Sequence, residues 1–531
     1  MLSPNKYLAR SPVRQKGVIA ARVSQSVDMP APTGGWDAVS PIANMPKDRA
    51  IVLDNWFPTP IDVRMRRGFS SFATSLGSGV VETVMPYNAP VNSDEKFFAA
   101  ANSIIYDITS GGAGSSSVTG LTNNRWQYVN FTTTGGHFLW CCNGADAPRT
   151  YEASAGWATP SLTITTYSST DIIHVNAHKN RLWFVFVNST VAGYLAVDSI
   201  SGTVSNFDFG AQFTKGGYLV ATATWTHDGG NGPDDYFVAV SSKGQVAIYQ
   251  GTDPSSASTW SKVGVFDLGE PIGRSCFLKV AGDLALINAD GVVPISRAIG
   301  QATAAQAAIA LTKNINNKIN EYSRDYKSNF GWQFIQYPRG NYVLLNIPLV
   351  EGDTQYQAVM NSLTGAWCRF TGQNANCWAI FRDNLYFGGN GGVVYLADTG
   401  GQDDGSLITA TGQGAYSSYG TSSALKMWKR LRAIITTGST IVPAVGLSTN
   451  YADNATLGTP TTATQSYAAY DSAVYDTGTY ASSELTTEEW GAAGGLGYTG
   501  SIHFRAQKNT TSDVLVALDG FNVIYESGFG F

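Results

Sequence analysis

The sequence predicts an all-β fold dominated by a β-propeller, and three observations lead there. Charged residues make up only 14% of the 531 positions, so polarity falls to Gly, Ser, Thr and Asn, a bias towards strands and turns. Between about residues 60 and 400 a turn residue followed by a short β-rich run keeps recurring. After about residue 404 that rhythm stops, which marks a second β domain.

The recurring unit starts at Asn102, Gly136, Asn180, Asp235, Asp283, Asn341 and Asn384, at spacings of 34, 44, 55, 48, 58 and 43 residues. Linear helical repeats keep a stricter period, whereas roughly 40–50 residues suits a four-stranded blade with inserted loops. Six to eight blades are expected. Two hairpins are legible, one turning on Lys243-Gly244 and one on Asn390-Gly391. One helix is expected across 301–326, which holds no Gly or Pro and carries Leu311, Ile315, Ile319, Tyr322 and Tyr326 on one face. It should pack on the outside of the propeller. The expected domains are a basic N-terminal arm at 1–30, a propeller at 31–404 and a sandwich-like C-terminal β domain at 405–531. In the last, strands are expected at 433–437, 501–505, 513–518 and 521–525, with a long polar loop at 451–499.

The net charge is −5, with 34 basic and 39 acidic residues, where proteins that grip nucleic acid over their whole surface are strongly basic. The exception is the arm, where Lys6, Arg10, Arg14, Lys16 and Arg22 precede the first acid, Asp28; it is expected to order on assembly. No apolar run reaches the ~18 residues of a membrane span, and the basic N-terminus lacks the apolar stretch of a secretory signal. Five irregularly spaced cysteines imply reduced, buried thiols and assembly in a reducing cytoplasm.

No motif earns a catalytic, cofactor-binding or metal-binding assignment. His174 and His178 are four apart, but in a strand-like context that places them about 13 Å apart, too far to share an ion. Gly495, Gly497 and Gly500 fit G-x-G-x-x-G, yet a strand-like Ser501-Ile-His-Phe-Arg follows where phosphate binding needs a helix. The acid-bearing segment His227–Asp235 lacks the alternating ligands of a calcium loop and reads as an inter-blade turn. Cys368 and Cys377 could face each other across a hairpin, though the compartment disfavours a disulfide.

Several stretches taken in order resemble a known family. These are Gly34-Gly-Trp-Asp through Ala43, Val52-Leu-Asp-Asn-Trp-Phe-Pro58, Arg66-Arg-Gly-Phe69, Thr224–Tyr236, Ile248–Pro254, Asn288–Ser296, Tyr337–Asn341 and Thr364-Gly-Ala-Trp-Cys-Arg-Phe370. The family is the tail nozzle of short-tailed bacteriophages, also called tail tubular protein B or DNA-stabilisation protein. The resemblance covers most of 34–400 and leaves the last 130 residues unmatched. It implies a structural virion protein, not an enzyme, in which six propeller subunits ring a DNA exit channel below the head-to-tail adaptor. The implied partners are that adaptor, tail fibres or spikes, tip or needle proteins, and duplex DNA passing without tight binding. The alternative is a phage receptor-binding or carbohydrate-binding or -cleaving propeller, for which 13 Trp and 26 Tyr could stack on sugars.

Overall fold

In the computed structural model the described residues are 24–228, 233–280, 282–299, 305–438, 441–461, 485–487 and 489–528. Seven antiparallel sheets among them succeed one another around an axis and form a β-propeller. Blade 1 is built from Val81–Tyr87, Lys96–Ala101, Ile104–Asp107 and Ser115–Val118. Blade 2 takes Gln127–Thr133, Gly136–Cys142, Arg149–Glu152 and Gly156–Ala158, and blade 3 Ile172–His178, Arg181–Phe186, Val191–Tyr194 and Ser205–Asp208. Blade 4 comprises Leu219–Asp228, Pro233–Ser241, Gln245–Gly251 and Trp260–Asp267. Blade 5 has three strands, Phe277–Val280, Asp283–Asn288 and Gly291–Pro294. Blade 6 holds Gln333–Tyr337, Tyr342–Pro348, Gln355–Asn361 and Trp367–Phe370. The first strand of each blade lies nearest the axis.

The ring closes by borrowing. Blade 7 consists of Cys377–Phe381, Asn384–Gly388 and Val394–Ala397, and its fourth strand is Phe69–Thr74 from the start of the propeller, flanked by the short parallel strand Gly112–Ala113. A sheet that shares strands from both ends of a domain has no loose blade to fray. Aromatic pairs sit at blade interfaces. Phe98 meets Tyr151 between blades 1 and 2, Trp140 stacks on Phe184 between 2 and 3, and Trp183 stacks on Trp260 between 3 and 4. Phe97 stacks on Phe381 at 4.9 Å across the closing seam.

The recurring sequence signal has a structural meaning. From Gly136 to Asn384 each start marks the turn into the second strand of blades 2 to 7; Asn102 marks the third strand of blade 1. Both hairpins at Lys243-Gly244 and Asn390-Gly391 form. The turn at Lys243-Gly244 depends on glycine, whose φ is +79° and whose added Cβ would fall 2.2 Å from the Gly269 carbonyl.

The expected domain boundary is corrected. The sandwich is not confined to 405–531, because residues 24–65 belong to it. Ser24–Pro30 pairs antiparallel with Val516–Ser527 over its whole length, and Lys426–Thr437 lies on the other side of that strand. In the facing sheet Arg49–Asp54 pairs with Ile408–Gly414, followed by Gly500–Lys508 and Ala444–Thr449. Two long C-terminal strands have open edges, and edges are satisfied by whichever segment reaches them, not by sequence neighbours. Of the expected basic arm, residues 1–23 lie outside the described residues; 24–30 are strand. The strands anticipated at 513–518 and 521–525 are one, Val516–Ser527. Of the anticipated loop at 451–499, residues 462–484 and 488 lie outside the described residues, but Leu485–Thr487, Gly491–Ala492 and Leu496–Gly497 pair with Lys426–Thr437.

The expected helix over 301–326 is also corrected. Among the described residues it is two pieces, Gln306–Ile309 and Asn316–Tyr326. Between them the Leu311 N–H bonds the Val292 carbonyl, and the Thr312 hydroxyl accepts from Val292 N–H and donates to Asn316 Oδ1. These bonds to blade 5 leave the segment 310–315 outside the helical ladder. The anticipated stripe does face inward: Ile315, Ile319 and Tyr322 are buried. The helix is not merely external, since Asn317 Nδ2 donates to the Ala38 carbonyl and Arg369 reaches the Tyr322 hydroxyl at 3.3 Å.

The propeller and sandwich are joined by two ion pairs, one buried and one half-buried. Arg66 donates to both oxygens of Asp403 at 2.8 and 2.6 Å, to Asn55 Oδ1 at 2.8 Å and to the Thr371 carbonyl at 2.7 Å. Its side chain is 1% exposed. Beside it Arg369 makes a two-pronged pair with Asp54 at 2.8 and 2.6 Å. Losing one member of a buried pair strands the other charge without water. Arg66→Met alone is therefore expected to cost roughly 3–5 kcal/mol in chemical denaturation, and Arg66→Met with Asp403→Leu to recover most of that loss. Equal losses in the single and double variants would show the pair to be incidental.

Candidate functional site

The loops that enter the blades gather on one face of the propeller, and there the axis opens into a funnel of about 670 Å³. Its wall comes from Glu82–Val84 of blade 1, Asn123 and Arg125–Tyr128 entering blade 2, Gly273–Ser275 entering blade 5, Lys327–Gln333 entering blade 6 and Asn376–Trp378 entering blade 7. Blade geometry explains the composition: a chain returning from the rim of one blade must cross to the axis before the next first strand, so its last loop residues face the opening.

Arg125 dominates the rim. Its Nε donates to Glu82 Oε1 at 2.8 Å, its Nη2 to Glu351, and its guanidinium lies 4.5 Å from the centre of the Phe330 ring. Burial works against this charge, but the hydrogen bonds and charges of Glu82 and Glu351 outweigh it and hold the pKa above the ordinary arginine value. Lys327 lies 3.5 Å from Glu270. Deeper in, Arg274 reaches from blade 5 towards blade 2, where a Cβ on Gly144 would sit 3.4 Å from its Nη1. Among the described residues Arg274 makes no hydrogen bond and no ion pair. Burial lowers its pKa, and the nearby charge of Arg125 adds to that.

A second cavity of about 650 Å³ lies where the sandwich meets blade 6. It is lined by Arg64, Arg67, Arg339, Asp398 and Asp513 among others. Arg67 bridges Asp398 at 3.8 Å and Asp513 at 2.6 Å. Even so, burial outweighs the Arg67 charge and pushes the Asp398 carboxyl up to about 6. Two apolar side chains on its margin, Ile61 and Leu363, are 75% and 74% exposed.

The positions weighed in the sequence fall as follows. His174 and His178 lie on the strand Ile172–His178 and do not converge; among the described residues no three His, Cys, Asp or Glu side chains gather to hold a metal ion. The His178 ring is buried and its Nδ1 is 3.1 Å from Thr224 Oγ1, while the buried His174 Nδ1 has no partner. Gly495, Gly497 and Gly500 lead into the strand Gly500–Lys508, with no helix. The segment His227–Asp235 is not an inter-blade turn but a hairpin within blade 4, where Asp228 pairs with Pro233; residues 229–232 lie outside the described residues. Cys368 and Cys377 are both free and belong to different sheets, blades 6 and 7.

The funnel residues escaped the sequence reading. Arg125 and Arg274 sit in short loops just before first strands, and in one dimension they are ordinary turn arginines. The available signal was position: both stand within a few residues of a blade's first strand, the place a propeller aims at its axis.

No family model matches this sequence, and no curated protein matches it. Among solved structures, the chain is similar to YCF48 from Cyanidioschyzon merolae, with 12% identity over 62% of this chain and 98% of that one, at a TM-score of 0.37. The computationally designed Ika8 protein matches with 11% identity over 62% of this chain and 99% of that one, at 0.34. The extracellular domain of the putative one-component system BT4673 from B. thetaiotaomicron matches with 11% identity at 0.32. That match covers 62% of this chain but only 40% of the other. Likeness at this level carries no functional argument, and the propeller assignment rests on the strand pairing described above.

The two histidines generate a pH expectation. Burial is the main force holding both His174 and His178 down to about 4, against about 6.5 for an unfolded histidine. A depressed folded pKa means that the unfolded chain binds the proton first, so stability is full above pH ~6.5 and falls as pH drops towards 4. Each ring contributes a loss of the order of 2–3 kcal/mol across that window. Denaturation midpoints measured from pH 7 to 4 should decline steeply, and the decline should flatten in a His174→Gln, His178→Gln double variant. An unchanged slope in the double variant would place the acid sensitivity elsewhere.

Proposed function

We propose that this chain is a structural, non-enzymatic subunit of a short-tailed bacteriophage tail: a nozzle protein of which six copies form a ring around the exiting DNA. The observation that carries the reading is where the nozzle-like stretches go in three dimensions. Asp54 and Asn55 of the Val52–Pro58 stretch, Arg66 of the next, and Arg369 and Phe370 of the last, over 300 residues away in sequence, meet in one buried knot. Trp36 of the first stretch lies 5.7 Å from the Arg369 guanidinium. The Asn288 side chain, from the Asn288–Ser296 stretch, is fully buried and donates to the Leu268 carbonyl. The stretches that carry the resemblance are thus largely the ones that fasten the architecture, which supports a shared build over a chance succession of turns.

Charge supports the same reading. Every lysine or arginine gripping a phosphate is a barrier to a strand that must move. A subunit of net charge −5 suits a conduit that leaves DNA mobile. A closed ring needs head-to-tail contacts between unlike surfaces of neighbouring subunits, and Ile61 and Leu363 are apolar side chains that such a contact would cover. Adaptor above, fibres or spikes and a tip protein around and below, and assembly in the host cytoplasm belong to this reading.

Electron microscopy of the purified or co-expressed protein is the test, with duplex DNA binding measured at several salt concentrations. Six-fold rings with an open bore and weak, shallowly salt-dependent DNA binding are expected. Three copies at the periphery of a tail, or tight binding with a steep salt slope, would count against a nozzle. Binding or cleavage of a host glycan would support the receptor-binding alternative.

A further inference from the structure

The funnel at the propeller axis is not needed for a ring whose bore lies between subunits, and its charges are unevenly matched. Arg125 is held by two carboxylates and Lys327 has Glu270. Arg274 has neither carboxylate nor carbonyl among the described residues, although it lines the same cavity. Among the described residues the one acid in the wall, Glu82, is already engaged by Arg125 and by the Asn124 amide at 3.3 Å.

We propose that Arg274 anchors a binding site for a small oxyanion, a carboxylate- or phosphate-bearing molecule, in the axial funnel. Four features of the geometry point there. A guanidinium taken partly out of water without a counter-charge is in a state that an anion from solvent would relieve. Its planar fork of donors matches a carboxylate or phosphate with two parallel hydrogen bonds. The Arg125 guanidinium is near enough to repel it, and Arg125 Nη1 makes no hydrogen bond among the described residues, so two positive groups face one cavity. Finally, the Arg274 guanidinium reaches a glycine of the facing blade. Gly144, with φ at +74° in the left-handed region, admits no side chain because a Cβ would strike Ile173 Cγ2 at 2.7 Å, and that Cβ position lies 3.4 Å from Arg274 Nη1.

Size and setting fix the class of ligand. A space of about 670 Å³ takes a metabolite-sized molecule. Phe330 and Tyr128 are partly exposed beside it and offer apolar cover, and Ser275 and Lys327 stand in the wall as further donors. A cation would meet three basic groups and one occupied acid, so the cavity selects against it.

Titration calorimetry on the full chain, at constant ionic strength balanced with chloride, tests this with inorganic phosphate and citrate as probes. Saturable binding of at least one probe in the millimolar range or tighter is expected, and the stronger probe tells phosphate recognition from carboxylate recognition. Arg274→Gln should weaken that binding at least about tenfold, with an unchanged or higher melting temperature in ligand-free buffer. Arg274→Lys, which keeps the charge but loses the fork, should fall in between, and it carries the test should the glutamine variant fail to fold. Absence of saturable binding of either probe to the wild type would overturn the proposal, as would equal binding by the wild type and both variants. The ring reading is untouched by either result, since it is read by microscopy and not by this cavity.

Discussion

A guanidinium can be removed from water only where nearly every one of its donors finds an acceptor, and Arg66 meets that condition by drawing three other segments to one point. Asn55, Thr371 and Asp403 surround it, and its own neighbour Arg67 contributes a carbonyl. Such a group contributes little net stability over a well-packed apolar replacement. Its effect is selective: a chain in which residues 55, 371 and 403 were differently placed would bury a charge with nothing to bind. The first sandwich strands, the last strand of blade 6 and the exit from blade 7 are thereby held in one register.

That constraint explains why the propeller can close at all. The closing strand Phe69–Thr74 begins three residues after Arg66, and Gly68 between them admits no side chain, since a Cβ would fall 1.8 Å from the Gln402 carbonyl. Once Arg66 is seated, Phe69 meets Phe387 and Tyr395 edge-on at about 5 Å, and the strand continues along Val394–Ala397. Local chemistry thus fixes a pairing between residues more than 300 positions apart. Pairings of that range are the slowest to form in folding because the loop they close is long.

Local patterns were readable in the sequence and remote ones were not. The all-β class, the propeller repeat, both hairpins and the inward stripe of Ile315, Ile319 and Tyr322 depend on neighbours within a few residues. The turn chemistry at Asn180 or Asn384 announces a second strand wherever the blade lies. What failed depended on contacts the sequence does not order. Residues 24–30 look like an arm and 31–65 like propeller because they precede it, yet they fill the open edges of strands near 410 and 520. The continuous periodicity over 301–326 hides a break because the competing bonds come from Val292. Of the candidate site nothing was legible: Arg125 and Arg274 become neighbours only when blades 2 and 5 face each other across an axis.

The pairing of Ser24–Pro30 with Val516–Ser527 makes the propeller a guest inserted into a host sandwich, and it has a mechanical consequence. Ser24 lies opposite Glu526, so the two strands enter and leave the sheet at the same end. Traction on the segments flanking them would load the ladder one hydrogen bond at a time, as a zipper opens, and not all bonds together as in shear. The seam would peel at low force from Ser24 towards Pro30. The blade 7 closure, whose two halves are fastened behind Arg66 and Asp403, would bear load only after the sandwich had opened. The subunit is thus compliant where Ser24–Pro30 meets Val516–Ser527 and stiff around its axis.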